Sequence, residues 1–151
     1  MILDNSYHFA AMKKLSNSIK RGRPDIVHFA LMEALSTPLF QQRKLRVYVH
    51  TINDKIIAIA DNLRIPKTYF RFERLMAKLF AEGHIRSDDG DILMEVTEGT
   101  FELLLRTLRP DNVVGLSTTG VRSTAAEVAR VVAYVPGSAI VIGAFPRGPF
   151  F

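Results

Sequence analysis

Apolar residues recur at two different periods along this chain, and the changes of period mark out helices and strands. Asp4, Asn5 and Ser6 offer caps to a helix running through His8 to Leu15, which gives way to the polar stretch Ser16 to Arg23. Pro24 suits the first turn of the next helix, where its missing N–H would have no partner anyway. In that helix Ile26, Val27, Ala30, Leu31, Ala34 and Leu35 form an apolar stripe, and Pro38 sets the end. Arg46 to Thr51 and Lys55 to Ala60 are β-rich runs separated by Ile52, Asn53 and Asp54, which predicts a hairpin. After the loop Asp61 to Lys67, Thr68 caps a helix that buries Phe72, Leu75, Met76, Leu79 and Phe80, ends at Gly83, and carries Arg71, Arg74 and Lys78 on its other side. Ser87 to Asp91 is an acidic turn, Ile92 to Val96 a short strand, and Glu98 to Leu108 a helix closed by Pro110. From Asn112 the pattern becomes strand through Leu116, glycine loop, helix with a capping box at Thr124 and Glu127, and apolar strand Ala139 to Ile142. Strand, helix, strand implies a parallel pair.

The fold class is therefore α/β, a parallel sheet flanked by helices with an embedded β-hairpin. No repeat or linker divides the chain, so residues 1–151 are read as one domain. Composition adds little: 48% hydrophobic and 23% charged residues are ordinary globular usage, which argues against disorder. No apolar run reaches the ~18 residues needed to cross a bilayer, so no membrane association is expected. The absence of cysteine removes disulfides and thiolate chemistry and weakly favours an intracellular place. Charge changes the picture more, because 20 Lys+Arg against 15 Asp+Glu give +5 and make a polyanionic partner plausible.

Two cationic groups could receive such a partner. Lys20, Arg21, Arg23, Pro24 and Asp25 lead from a basic loop directly into a helix start, where free N–H groups and the helix dipole favour a phosphate. A solvated loop, with Arg23 paired to Asp25, explains the same residues equally well. Arg64, Lys67, Arg71 and Arg74 are interleaved with Tyr69, Phe70 and Phe72, and positions 67, 71 and 74 share a helix face. Here the alternative is a charged outer face over an aromatic core. Leu116 to Gly120 and Gly143 to Gly148 each follow an apolar strand, the usual ligand position in open α/β sheets, although neither is a P-loop or a G-x-G-x-x-G fingerprint. His8, His28, His50 and His84 lack metal-like spacing, and His28 on an apolar helix reads as a hydrogen-bonded structural residue. No metal site is expected, and with no G-x-S-x-G elbow covalent hydrolytic chemistry is not indicated.

Taken in order, Ile2-Leu-Asp-Asn-Ser-Tyr-His8, Arg21-Gly-Arg-Pro-Asp-Ile-Val-His28, Thr37-Pro-Leu39, Val47-Tyr-Val-His-Thr51 and Arg64-Ile-Pro-Lys-Thr-Tyr69 are joined by Arg71-Phe72, Leu116-Ser117 with Gly120, and Val141-Ile-Gly-Ala-Phe-Pro-Arg-Gly148. This ordered set covers nearly the whole chain. It resembles the archaeal and eukaryotic pseudouridine-N1 methyltransferases of small-subunit ribosome biogenesis, a branch of the SPOUT class.

The resemblance implies a deep trefoil knot, a homodimer, S-adenosylmethionine as methyl donor and a loop of small-subunit ribosomal RNA as substrate, in the cytoplasm, or the nucleolus if the source is eukaryotic. By motif match, Arg21, Arg23, Arg64, Lys67 and Arg71 hold RNA, with Lys67 where the family usually has arginine, and Arg23 and Asp25 stand at the reacting base. Leu116, Ser117, Thr118, Gly120, Ile142, Gly143, Ala144, Phe145 and Gly148 match two cofactor loops. The family's third cofactor loop and its knot-threading segment would lie after Phe151, and its first strand before Ile2, so the chain is expected to be a piece of a longer protein. The rival expectation is a non-catalytic ribosomal-RNA-binding assembly factor that has lost the cofactor site.

Overall fold

The computed structural model describes residues 2–149. In chain order the elements are α1 (Asn5–Met12), α2 (Pro24–Ser36), α3 (Pro38–Gln41), β1 (Val47–His50), β2 (Lys55–Ile59), α4 (Tyr69–Glu82), β3 (His84–Arg86), β4 (Ile92–Glu98), α5 (Phe101–Leu108), β5 (Asn112–Leu116), α6 (Ala125–Tyr134) and β6 (Ser138–Ile142), with a 3-10 turn at Ser18–Lys20. β5 and β6 form the expected parallel pair, with Leu116 opposite Ile142, and α6 is the crossover between them. The expected hairpin, β1 with β2, is the edge of a larger antiparallel sheet ordered β1-β2-β4-β3. In it Ile57 faces Val49 on one side and Val96 on the other.

The boundaries follow from local hydrogen bonding. α1 starts at Asn5 and ends at Met12, earlier at both ends than the pattern implies, because Asp4 alone takes the cap: its Oδ1 accepts from the Ser6 N–H at 2.7 Å. Pro38 stops α2 as expected, but Thr37 recaps the chain, its Oγ1 accepting from the Phe40 N–H, and α3 follows at once. Glu98 does not open α5. It ends β4 and pairs with Lys55 across the sheet, while Thr100 caps α5 by accepting from the Leu103 N–H. β3 has no counterpart in the sequence reading, since three residues are too few to show a period of two. Gly83, at φ +79, turns α4 straight into it, with its N–H on the Leu79 carbonyl at 2.8 Å.

The core lies between one face of the antiparallel sheet and helices α2 and α4. Leu31, Leu35, Phe40, Ile57, Phe72, Met76, Leu79 and Met94 are all buried there. Phe72, Met76 and Leu79 repeat at four and three residues, so one stripe of α4 meets the sheet. Phe80, expected in that stripe, is 39% exposed, because it sits one step of about 100° beyond Leu79. The parallel pair with α6 contributes nothing to this core, and α6 has no buried residue. Its capping box forms as expected, with Thr124 Oγ1 accepting from the Glu127 N–H and Glu127 accepting from the Thr124 N–H.

Candidate functional site

Three helix starts converge around the basic loop. The Asn5 N–H at the head of α1 donates to the Gly22 carbonyl at 2.8 Å, just before α2 begins. Gly22 has φ +79, and a Cβ there would lie 2.5 Å from both Asn5 Oδ1 and Met12 Cε, so only glycine fits. Asp4 is buried and also accepts from the Tyr69 hydroxyl, which joins the head of α4 to the head of α1. Burial pushes the Asp4 carboxyl up, but the hydrogen bonds from Tyr69 and Ser6 and the nearby His8 outweigh it and leave the group below its ordinary value. The Tyr69 hydroxyl is pushed up by burial and by the Asp4 carboxylate. His28 Nε2 donates to the Pro66 carbonyl at 2.7 Å and its ring stacks on Phe72 at 4.4 Å, which makes it the structural histidine expected and ties α2 to the loop before α4.

Within the basic loop each cation has a different posture. Arg21 donates through Nε to the Ser16 carbonyl and through Nη2 to Asn53 Oδ1, both at 2.9 Å, so it ties the loop to the β1–β2 turn. Arg23 grips Asp25 with a planar fork, Nε to Oδ1 and Nη2 to Oδ2, both at 2.8 Å. That fork holds the Asp25 carboxyl below its ordinary value and raises the Arg23 guanidinium. The Arg23–Asp25 pair expected of the solvated loop forms, and both partners stay about half exposed. Arg64, Lys67, Arg71 and Arg74 are exposed, and no carboxylate pairs with them among the described residues.

The glycine loops leave the same end of the parallel pair, since Leu116 and Ile142 are register partners. In the first, Ser117 Oγ accepts from the Thr119 N–H and the Gly120 N–H returns to the Ser117 carbonyl, which leaves Leu116, Ser117, Thr118 and Gly120 exposed in a tight bend. In the second, Gly143, Ala144 and Phe145 are half-buried, and Gly148 takes φ +101. This second loop lies on the basic loop: the Lys20 ammonium sits 5.1 Å from the centre of the Phe145 ring. A Cβ on Gly148 would meet Lys20 Cε at 3.3 Å and Ile19 Cδ1 at 3.5 Å. The sequence-predicted residues thus gather through two joints, Lys20 on Phe145 and Asp4 on Tyr69. Asp4 and Tyr69 are 65 positions apart, and no local pattern marks them as partners. An open groove lined by Leu105, Arg106, Arg109, Pro110 and Val113 lies at the amino end of β5, opposite the loops.

The parallel pair, its α6 crossover and the helices over the antiparallel sheet define an α/β methyltransferase fold of the SPOUT class. The chain belongs to the EMG1/NEP1 methyltransferase family, whose model matches residues 1–151. It is 39% identical over 150 residues to the ribosomal RNA small subunit methyltransferase Nep1 of Thermococcus onnurineus (strain NA1), which covers 99% of this chain and 68% of that protein. The protein of the same name from Saccharolobus solfataricus is 41% identical over 150 residues, covering 99% of this chain and 64% of its own length. The crystal structure of Archaeoglobus fulgidus Nep1 bound to S-adenosylhomocysteine matches with a TM-score of 0.78 at 39% identity, over 99% of this chain and 63% of that one. The chain therefore spans about two-thirds of the length of these relatives.

Proposed function

We propose that this protein methylates N1 of a pseudouridine in small-subunit ribosomal RNA, with S-adenosylmethionine as donor, during small-subunit biogenesis in the cytoplasm, or in the nucleolus of a eukaryote. The observation that carries the proposal is the seat of the 143–148 loop on the basic loop, Lys20 against Phe145, because it sets the glycine bend beside cations that suit an RNA backbone. The names of the relatives, ribosomal RNA small subunit methyltransferases, and the S-adenosylhomocysteine in the Archaeoglobus fulgidus structure support it. A homodimer belongs to the same proposal. Val131, Tyr134, Ile140 and Ile142 are 52%, 90%, 48% and 63% exposed, and apolar surface of this kind is what a contact between copies buries.

The residues present fit the donor. Leu116, Ser117, Thr118 and Gly120 from one bend are exposed, and Ile142, Gly143, Ala144, Phe145 and Gly148 from the other combine glycine backbone with apolar side chains, which suits an adenosine flanked by an amino acid. When bound, S-adenosylmethionine supplies a methyl group made electrophilic by its sulfonium. The chain's own contribution is placement: Arg23, Arg64, Lys67 and Arg71 neutralise phosphates on either side of an extruded base, with Arg21 holding the loop in place. Lys67 contributes charge without the bidentate fork of an arginine. Asp25, ionised and gripped by Arg23, is a weakened proton acceptor, so its part is to aim Arg23 at the target.

Calorimetry with S-adenosylmethionine and RNA-binding titrations on the same preparation test the proposal. Saturable binding of the donor, together with weaker RNA binding by Arg64→Ala, is expected. RNA binding without any donor binding would instead assign a non-catalytic assembly role. Asp25→Asn should keep measurable methyl transfer; complete loss of transfer by a folded variant with unaltered RNA affinity would overturn the reading that Asp25 only aims Arg23.

A further inference from the structure

The outer face of α4 continues beyond the cations assigned to phosphates. The Arg74 guanidinium sits 4.2 Å from the centre of the Phe70 ring. Phe70 is 59% exposed, whereas Phe72, two positions on, is 1% exposed in the core. An exposed phenylalanine alone is ordinary. This one is roofed by an arginine that no carboxylate neutralises among the described residues, and it lies between Lys67 and Arg71 in the chain. Arg71 and Arg74 are three residues apart on α4, whereas Lys67, expected on the same helix face, stands before the Thr68 cap, so the Phe70–Arg74 pair extends the cations along the helix by about one turn, roughly 5 Å.

A guanidinium stacked on an aromatic ring keeps its second flat face and its edge N–H groups available. A base can lie on that face while a phosphate takes the edge. We infer that Phe70 and Arg74 form a stacking subsite for an unpaired nucleotide flanking the target. The inference rests on the proposed RNA-binding role of the α4 strip and adds a base contact to its phosphate contacts. Charge selects the occupant, since Arg64, Lys67, Arg71 and Arg74 together attract a polyanion and repel the same strip on a second copy. A duplex offers no open base to stack, so the subsite prefers single-stranded loops.

The test is fluorescence anisotropy with a labelled RNA hairpin carrying an unpaired loop, and in parallel a blunt RNA duplex, each across a salt series. Phe70→Leu keeps an apolar side chain at an exposed position, so it folds. It should bind the hairpin at least about fivefold more weakly, with duplex affinity and salt slope unchanged. Arg74→Ala should weaken both and lower the salt slope by about one. Hairpin affinity of Phe70→Leu equal to that of the parent overturns the subsite. Arg71→Ala, measured alongside, separates the two levels: if it binds weakly while Phe70→Leu does not, the strip contacts phosphates alone, and if neither weakens, the RNA-binding role of the strip falls as well. Altered sedimentation of Phe70→Leu with unaltered RNA affinity would assign the ring to a contact between copies and overturn the subsite too.

Discussion

At the scale of single residues, Asp4 does the most with the least surface. It caps α1, receives the Tyr69 hydroxyl and is 6% exposed, so its charge is held by hydrogen bonds and not by solvent. Tyr69→Phe removes one donor to that charge and should cost about 2 kcal/mol in urea unfolding; a loss within error would show that the bond adds nothing. The Arg23–Asp25 pair has tighter charge geometry but is half exposed, which limits it to roughly 0–1 kcal/mol. Both carboxyls titrate below their ordinary 3.8 when folded. Their stabilisation is therefore complete above that value and is lost as pH falls through the lower folded values. The urea midpoint should fall below about pH 4, and Asp4→Asn, already weakened at neutral pH, should fall less steeply there. Equal steepness in the two proteins would move the acid sensitivity to other groups. The motif around Arg23 and Asp25 was visible in the sequence, and so was the possibility of their pairing. The bond between Asp4 and Tyr69 was not, because nothing local records which buried carboxylate a distant hydroxyl will meet.

At the scale of elements, legibility followed hydrogen-bond chemistry and length. α2, α4 and the β5–α6–β6 unit were readable because each shows a long apolar stripe, a cap or a strand of five residues. α1 was misplaced because Asp4, Asn5 and Ser6 all offered caps and the folded chain used Asp4, and α5 because Glu98 continues β4 and Thr100 caps the helix. β3 depends on its partner: His84 and Ile85 become strand only by pairing with Glu95 and Met94 of β4. α6 draws its stability from its own cap and from β6, since it lies outside the main core. Thr124→Ala should lower its local stability by about 1 kcal/mol. Hydrogen exchange should then quicken at residues 125–128 and stay unchanged around Met76 and Leu79 in α4. Equal acceleration in both helices would mean that the two regions unfold as one unit.

At the scale of the whole molecule, the division of labour is between a packed antiparallel sheet with α2 and α4, which fixes the cations before α2 and around the start of α4, and an open parallel pair, which carries the glycine bends. The sequence showed both parts but not their junction, which consists of Lys20 on Phe145 and the fit of Gly148 against Ile19 and Lys20. Such a junction depends on tertiary approach and has no period to read. It is also what turns two weak signals, a basic loop and a glycine loop, into one surface. The direct measurement is nucleoside mass spectrometry of a pseudouridine-containing small-subunit ribosomal RNA hairpin after incubation with the protein and S-adenosylmethionine. N1-methylpseudouridine should form, and Arg71→Ala should reduce its yield by weakening RNA binding while donor affinity is unchanged. Saturated binding of both RNA and donor with no methyl group on pseudouridine would contradict the shared surface.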